Sequence, residues 1–280
     1  MTLPSFDDDW RNKERIKPRI CVLEIRDRDK PDGNPIAWLF VERQETYRRD
    51  ERDGTIYEAS INLYYERIAP KHSYRVTGKG HFSGGYSRGY SDGASVSLTS
   101  TSTSRGAVFL DLPELEGQRI GTYLMNEIVT WVKQWPDATV RPVELLSGQA
   151  HGENKARRNR FYEQFGLVFD YRDPEQQEGL SRAMPASALT PVEAWQSNIC
   201  ERDVRDYLGE ALHDRDRVVM ELASRERAVK NLVDDIKRAE AKPIRWALRQ
   251  TWWRLAPILT QMGLLLVVGG LVWSAIKGRG

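Results

Sequence analysis

Residues 110–125 read LDLPELEGQRIGTYLM, and this stretch decides the fold that the sequence predicts. It combines the end of an apolar strand, a proline, a short turn with two glycines and the start of a helix. The first backbone N–H groups of a helix have no partner within the helix, and the helix dipole adds a partial positive charge there. We therefore expect this turn to bind an anion, above all a diphosphate.

Alternating strands and helices surround the turn. Apolar runs predict strands over 106–112, 143–146 and 167–171, and helical spacing predicts one helix from Ile120 and another over 154–165. Three earlier strands are predicted, over 20–25, 36–42 and 60–68. The order is that of an α/β protein with crossover helices. A Gly-, Ser-, Thr- and Tyr-rich segment, 77–105, is interpreted as a long loop or hairpin inserted in the sheet, and 95–104 as an edge strand or a linker.

Two motifs in this order resemble those of the Gcn5-related N-acetyltransferase (GNAT) superfamily. The pattern LxLPELxGxxIGxxL is followed by a strand, by a helix that ends in FYEQFGL and by a closing strand. The resemblance covers residues 106–171, with the strands over 20–68 as the family's N-terminal half. It implies a GNAT-like mixed sheet with crossover helices, acetyl-coenzyme A as cosubstrate, and direct transfer of the acetyl group to an amine.

The resemblance also assigns roles to residues. The diphosphate of acetyl-coenzyme A would bind the turn formed by Gly117, Gln118, Arg119, Ile120, Gly121 and Thr122. Leu110 and Leu112 would end the strand that pairs with the pantetheine arm. Tyr162 would act as a general acid that protonates the departing thiolate. The alternative for Tyr162 is core packing with Phe161 and Phe165.

The turn departs from the family pattern at two positions. Glu116 stands where the family usually has Gln or Arg, and Arg119 replaces a glycine. An acid repels a diphosphate, whereas Arg119 could compensate by binding phosphate directly. An alternative register begins the motif at Gln118 and puts Tyr123 at the final glycine. We prefer the first register because it keeps the apolar residues of the helix on one face.

No general base and no metal site are predicted. Asp111, Glu144 and Glu66 lie on predicted strands, where such residues are more often solvated or paired with a cation. The four histidines have no metal-ligand spacing, and the two cysteines, Cys21 and Cys200, are far apart in the sequence.

Residues 190–242 predict a charged helix whose apolar residues follow a heptad pattern. Arg205, Arg215 and Glu226 occupy polar gaps in this seam. The apolar members of the seam are Leu208, Leu212, Val219, Leu222, Val229, Val233 and Ile236. Two interpretations are open: an amphipathic helix packed on its own domain, or a homodimer through 205–236.

Residues 255–276 read LAPILTQMGLLLVVGGLVWSAI and carry no charge. At about 1.5 Å per residue they extend roughly 33 Å, enough to cross a hydrocarbon core of about 30 Å. Tryptophans and arginines precede the run, and more basic residues precede it than follow it. We therefore predict a single C-terminal anchor in the lipid bilayer with the N-terminal domain in the cytoplasm. A buried core helix and a helix lying flat in the interface are the alternatives.

The whole sequence predicts a mobile arm (1–17), a GNAT-like domain (18–185), the charged helix and the transmembrane helix. A net charge of only +2 over 280 residues argues against a general nucleic-acid binder. We expect a membrane-tethered N-acetyltransferase whose acceptor amine the sequence does not identify. The alternative function is a catalytically silent GNAT-fold interaction module or a membrane-anchored scaffold.

Overall fold

The computed structural model describes most of the chain. It covers residues 12, 14–70, 78–89, 93–101, 110, 112–152, 154–249, 251–253, 255–256, 260–261 and 263. The chain divides into two compact units, Met1–Leu208 and Gly209–Gly280. The first unit is a mixed α/β structure with a large sheet, and the described part of the second is mainly helical.

Most of the regular secondary structure described in the first unit is strand. They are β1 (Arg19–Arg26), β2 (Pro35–Arg49), β3 (Ile56–Ala69), β4 (Lys79–Arg88), β5 (Ala94–Ser97), β6 (Thr139–Val140), β7 (Glu144–Leu145), β8 (Phe169–Tyr171), β9 (Gly179–Ser181), β10 (Met184–Pro185) and β11 (Ile199–Asp203). The helices are α1 (Ile120–Val132), α2 (Asn154–Glu163) and α3 (Val204–Ala241). Among the described residues the large sheet has the order β10-β6-β5-β4-β3-β2-β1-β11, and β7-β9-β8 form a smaller sheet.

The connection from β5 through α1 to β6 is a crossover, as the α/β order predicted, but its strands differ from the predicted ones: β6 precedes 143–146, and β7 within that range belongs to the smaller sheet. β5 and β6 are parallel neighbours, whereas the other described pairs of the large sheet are antiparallel. α1 packs on β3 and β4, and apolar side chains of the helix are buried there: Ile120, Leu124, Met125, Ile128 and Val132. The α/β class, the early strands and the start of α1 are confirmed.

β2 continues well beyond the predicted 36–42, although its second half is rich in charge. Arg43 forms ion pairs with Glu45 and with Glu127 of α1, at 2.7 and 2.5 Å. The Tyr47 ring is buried next to Trp131 of α1. Arg43 and Glu45 are therefore paired against the helix, and a hydrophobic pattern alone could not predict this part of the strand.

The glycine-rich segment contributes strands to the interior of the sheet. Of the two interpretations of 77–105, the hairpin is confirmed, because β4 and β5 pair antiparallel. The edge-strand interpretation is wrong, since β5 lies between β4 and β6. A Cβ on Gly84 would lie 2.7 Å from Ile128 Cγ2, and a Cβ on Gly85 would lie 2.7 Å from the Thr101 carbonyl oxygen. The glycines allow close packing on both faces of the strand.

The charged helix begins later than predicted. α3 starts at Val204 rather than at 190, and β11 precedes it as an edge strand that pairs antiparallel with β1. The Asp203 carboxylate accepts hydrogen bonds from the backbone amides of Arg205 and Asp206, which is the usual chemistry of a helix N-cap. α3 ends at Ala241, and residues 243–249 are again helical after the predicted break at Lys242.

Several predicted segments lie mainly outside the described residues. They are the strand 106–112, the arm 1–17 and the membrane anchor 255–276. No helix within the described residues is long and apolar enough to cross a bilayer. The anchor therefore stays a prediction.

Gly84→Ala should destabilise the protein by about 1–3 kcal/mol, because the added methyl group would overlap Ile128 and the Ser97 carbonyl oxygen. Chemical denaturation monitored by circular dichroism measures this change. Gly148→Ala is the matched control: nothing lies within 4 Å of the Cβ it adds, so its effect should stay within about 0.5 kcal/mol. Equal stability of the two variants would contradict the packing of α1 on β4.

Candidate functional site

The start of α1 leaves three backbone donors free. The first bond of the helix runs from the Tyr123 amide to the Arg119 carbonyl oxygen, at 3.0 Å. The amides of Ile120, Gly121 and Thr122 donate to no acceptor among the described residues, and no side chain caps the helix. These donors and the helix dipole favour an anion at this position.

Arg119 has the backbone conformation of a glycine. Its φ is 63°, in the left-handed region, and Gly117 two residues earlier has a φ of 80° with nothing within 4 Å of an added Cβ. Arg119 is the N-cap residue of α1. The preferred register of the motif put Arg119 where the family has a glycine, and the left-handed backbone agrees with that register.

The side chains of Gln118 and Arg119 contact other parts of the protein. Gln118 Oε1 accepts a hydrogen bond from the Arg28 amide at 2.8 Å. Arg119 Nη1 donates to the Ala194 carbonyl oxygen at 3.1 Å, to the Ser197 hydroxyl and to Asn198 Oδ1 at 3.3 Å. The expectation that Arg119 binds phosphate with its side chain is therefore at odds with these contacts, because Nη1 anchors the 194–198 turn.

Asn198 holds the turn in place, although no sequence pattern pointed to this residue. Its side chain is buried, and Nδ2 donates to the carbonyl oxygens of Arg26 and Gln118, both at 3.1 Å. Its own carbonyl oxygen accepts from the Arg26 amide at 2.8 Å. The helix predicted over 190–242 includes Asn198, so a turn at this position is not expected from the sequence. The short strand pattern after Trp195 is the one local feature that indicates a turn and a strand there.

The remaining residues of the turn pack inward. Ile120 belongs to the core, and Thr122 Oγ1 is buried and accepts from Gln164 Nε2 at 3.3 Å. Gly121 faces α2, because its added Cβ would lie 3.4 Å from the Phe161 ring. The structure therefore brings the turn and the aromatic helix together.

Neither Leu110 nor Leu112 pairs with a strand within the described part of the chain. Leu112 is buried and Leu110 is 37% exposed. Leu110 Cδ2 would lie 3.8 Å from a Cβ on Gly121, so it borders the start of α1. Main-chain pairing of these two residues with a pantetheine arm stays a prediction.

Tyr162 is a buried aromatic residue with an unpaired hydroxyl. The side chain is 7% exposed, and its ring packs against Phe161 and Phe169 at 4.9 and 6.0 Å between centroids. The hydroxyl makes no hydrogen bond within the described part of the chain. Burial raises the pKa of Tyr162 to about 12, and the positive charge of Arg158 partly opposes this shift. Tyr162 therefore stays protonated at neutral pH and can only donate a proton there.

Arg158 and Asn159 hold α2 against the neighbouring loops. Buried Arg158 donates to the carbonyl oxygens of Leu146 and Gln177 at 2.7 and 2.9 Å, and Asn159 Nδ2 donates to Gln176 O at 3.1 Å. These residues keep Tyr162 at a fixed position. Both donors are engaged with backbone carbonyl groups, so their evident role is structural.

The residues considered as bases do not converge on Tyr162 or on the turn. Glu144 forms an ion pair with Arg172 at 3.3 Å, Glu66 is exposed on β3, and Asp111 lies outside the described residues. No group of three or more metal-ligating side chains occurs within the described ranges.

A hollow of about 330 Å³ lies on the other face of the sheet. Gly84 faces α1, so Gly85 and Ser87 face away from the helix together with Glu58, the strand partner of Ser87. The wall of the hollow includes these residues and Arg88, Ser95, Ser97 and Arg141. It contains none of the residues predicted to bind the cosubstrate.

Comparisons with protein-family models, curated proteins and solved structures give no match to this chain. Its function is therefore argued from the geometry described above.

Arg119→Ala should be less stable than Arg119→Gly by about 1 kcal/mol. Both variants lose the bonds to the 194–198 turn, but only alanine keeps the cost of a left-handed backbone. Thermal or chemical denaturation measures the difference.

The control for this pair is Arg157, which is exposed on α2. There the order should reverse, with alanine more stable than glycine by about 1 kcal/mol, because the backbone is helical. The same order at both positions would contradict the left-handed N-cap.

Proposed function

We propose that the first unit is an N-acetyltransferase that moves an acetyl group from acetyl-coenzyme A to an amine. The observation that carries this proposal is the set of free amides at Ile120, Gly121 and Thr122, which the helix dipole makes attractive to a diphosphate. Gly117 contributes an open, left-handed turn beside them, where backbone can approach phosphate closely. The resemblance of residues 106–171 to the GNAT superfamily supplies the identity of the anion.

Tyr162 is proposed as the general acid. In direct transfer the neutral amine attacks the thioester carbonyl carbon, the C–N bond forms and the C–S bond breaks. The acylated nitrogen releases its extra proton to solvent, the thiolate accepts a proton from the Tyr162 hydroxyl, and solvent returns a proton to Tyr162. A protonated phenol without a competing hydrogen-bond partner in the described residues suits this role.

The contact between the two motifs supports a shared site. The Phe161 ring, adjacent to Tyr162, lies next to Gly121 at the start of α1. Gln164, on the same helix end, donates to Thr122. The anion site and the proposed acid are thus attached to each other by direct packing between α1 and the end of α2.

A catalytically silent interaction module is the second candidate, and the side chains of the turn favour it. Gln118 and Arg119 use polar atoms to hold the protein's own backbone, and Glu116 is exposed in the same turn. An anion at α1 would therefore depend on backbone donors, with a carboxylate nearby.

The membrane tether completes the proposal. The uncharged run 255–276 would anchor the chain in a bilayer, with the first unit on the cytoplasmic side. A tethered enzyme would favour acceptor amines close to that surface.

Acetyl-coenzyme A should stabilise the full chain in detergent, because a ligand that binds only the folded state shifts the unfolding equilibrium. At about 100 times its Kd the cosubstrate should add about 2.7 kcal/mol. The full chain is needed because truncation at 190 would remove β11. Glu116→Gln should tighten binding about two- to five-fold by removing a nearby negative charge.

Asp137→Asn is the matched control for the charge change. Asp137 is exposed beyond the other end of α1, so its substitution should leave the affinity unchanged. Absence of any stabilisation at millimolar acetyl-coenzyme A would favour the silent module. Equal effects of the two substitutions would place the anion elsewhere.

Tyr162→Phe should lower kcat by about 10²-fold or more and leave the Kd for acetyl-coenzyme A unchanged, because it removes only the proton donor. Turnover is measured by release of free coenzyme A thiol with a panel of amines. Tyr171→Phe is the control: Tyr171 donates to Glu163 at 2.9 Å near the same aromatic cluster, and its loss should not change kcat. A fall in affinity with unchanged kcat would refute the acid role of Tyr162.

A further inference from the structure

α3 presents an unpartnered apolar face along its length. The seven apolar residues of its heptad seam are each between 42% and 59% exposed. A helix of 38 residues whose exposed apolar residues share one face is expected to bury that face against another surface.

Two opposite charges interrupt the middle of this seam, and Arg205 is a third charged residue at its N-terminal end. In the heptad, Arg215 occupies a d position and Glu226 an a position. Among the residues that the structure describes, Arg215 pairs only with its neighbour Asp216, at 2.9 Å, and both side chains are largely exposed. Glu226 forms no ion pair among the described residues. Exposed pairs of this kind contribute little, so Arg215 can exchange its partner at low cost.

We propose that α3 pairs with α3 of a second copy as an antiparallel coiled coil. Its twofold axis would pass between Met220 and Glu221. In this register Arg215 of one copy lies opposite Glu226 of the other, and symmetry forms the same pair a second time. Each charged residue in the middle of the seam is therefore paired with an opposite charge of the second copy.

The same register matches the apolar residues. Val219 lies opposite Leu222 of the second copy, Leu212 opposite Val229, and Leu208 opposite Val233. Each of these layers also occurs twice by symmetry, so apolar layers lie on both sides of the two ionic ones. At each end of the seam Ile236 lies opposite Arg205, an exposed residue in the first turn of α3. This matching of an a position with a d position at every layer is the geometry of an antiparallel pair.

Other arrangements bring like charges or unpaired charges together. A parallel, in-register dimer would put Arg215 against Arg215 and Glu226 against Glu226, and would bring Arg225 next to Lys230. Sliding the antiparallel pair by one heptad would bury Arg215 against Val219 or Val233. Both outcomes cost free energy, because a charge in a seam needs a partner.

The positions beside the seam are compatible with the proposed register. Asp216 would lie near Ala223 of the second copy, Arg225 near Val218, and Leu232 near Ala211. None of these contacts joins two like charges, and the last extends the apolar surface. The orientation is therefore favoured by the flanks as well as by the seam.

Charge reversal tests the register. Arg215→Glu and Glu226→Arg should each weaken dimerisation of the full chain in detergent by at least about 100-fold, because each puts two like-charged pairs into the seam. The double variant should restore dimerisation to near the original level. Sedimentation velocity measures the dimer Kd, and circular dichroism confirms that the variants remain helical. Arg227→Glu, outside the seam, is the matched control and should have little effect.

Cross-linking tests the orientation. In a Cys200→Ser background, with Cys21 buried, Leu212→Cys chains mixed with Val229→Cys chains should form mixed dimers with a short bifunctional maleimide. Each variant alone should give little product. A parallel pair would instead cross-link each variant to itself.

Four results would overturn the proposal. The first is a full chain that stays monomeric at about 100 µM, and the second is an unchanged dimer Kd in the single charge-reversal variants. The third is a double variant whose dimerisation is not restored, and the fourth is cross-linking of the Leu212→Cys variant to itself. The first result would mean that the apolar face of α3 packs on its own domain or on a bilayer surface. The second would mean that another part of the chain, such as 255–276, forms the dimer interface.

Discussion

The hydrogen bonds of the Asn198 side chain fix the part of the protein on which the proposed activity depends. One buried amide group joins the end of β1, the turn before α1 and the guanidinium of Arg119. A buried amide that lost these partners would leave backbone carbonyl groups unsatisfied, at about 1–3 kcal/mol each. The direction of the free amides at α1 therefore follows from a residue that is far away in the sequence. Arg119 adds to this anchor from the other side of the turn.

The core of the sheet explains why α1 lies where it does. Gly84 lets Ile128 approach the strand closely, and Trp131 donates to Glu45 and to the Tyr47 hydroxyl at 3.0 and 2.9 Å. Trp195 packs edge-on against Tyr123 with 4.9 Å between the ring centroids. Tyr123 in turn donates to Glu201 of β11. The helix is thus attached at both ends, by polar contacts as well as by apolar packing.

Local patterns in the sequence were enough to predict the α/β class, the early strands, α1 and α2. The sequence could not predict the second half of β2, because its charged residues are typical of a loop. The tertiary ion pair between Arg43 and Glu127 of α1 is what accommodates a charge on this part of the strand. It also could not predict β11, whose strand conformation depends on pairing with β1. In the candidate site, the structure brings Gly121 close to Phe161 of α2, whereas the roles assigned to the two motifs stay predictions. The contacts of Gln118, Arg119 and Asn198 join residues about 80 apart in sequence, so no local pattern could reveal them.

The two cysteines differ strongly in chemical accessibility. Burial and the nearby charge of Glu201 raise the pKa of the Cys21 thiol to about 12, so it is poorly nucleophilic at neutral pH. Cys200 is exposed on β11, two residues beyond Asn198. A thiol-reactive fluorophore would therefore label Cys200 selectively in the native chain. It would give an optical reporter beside the 194–198 turn without any substitution in the protein.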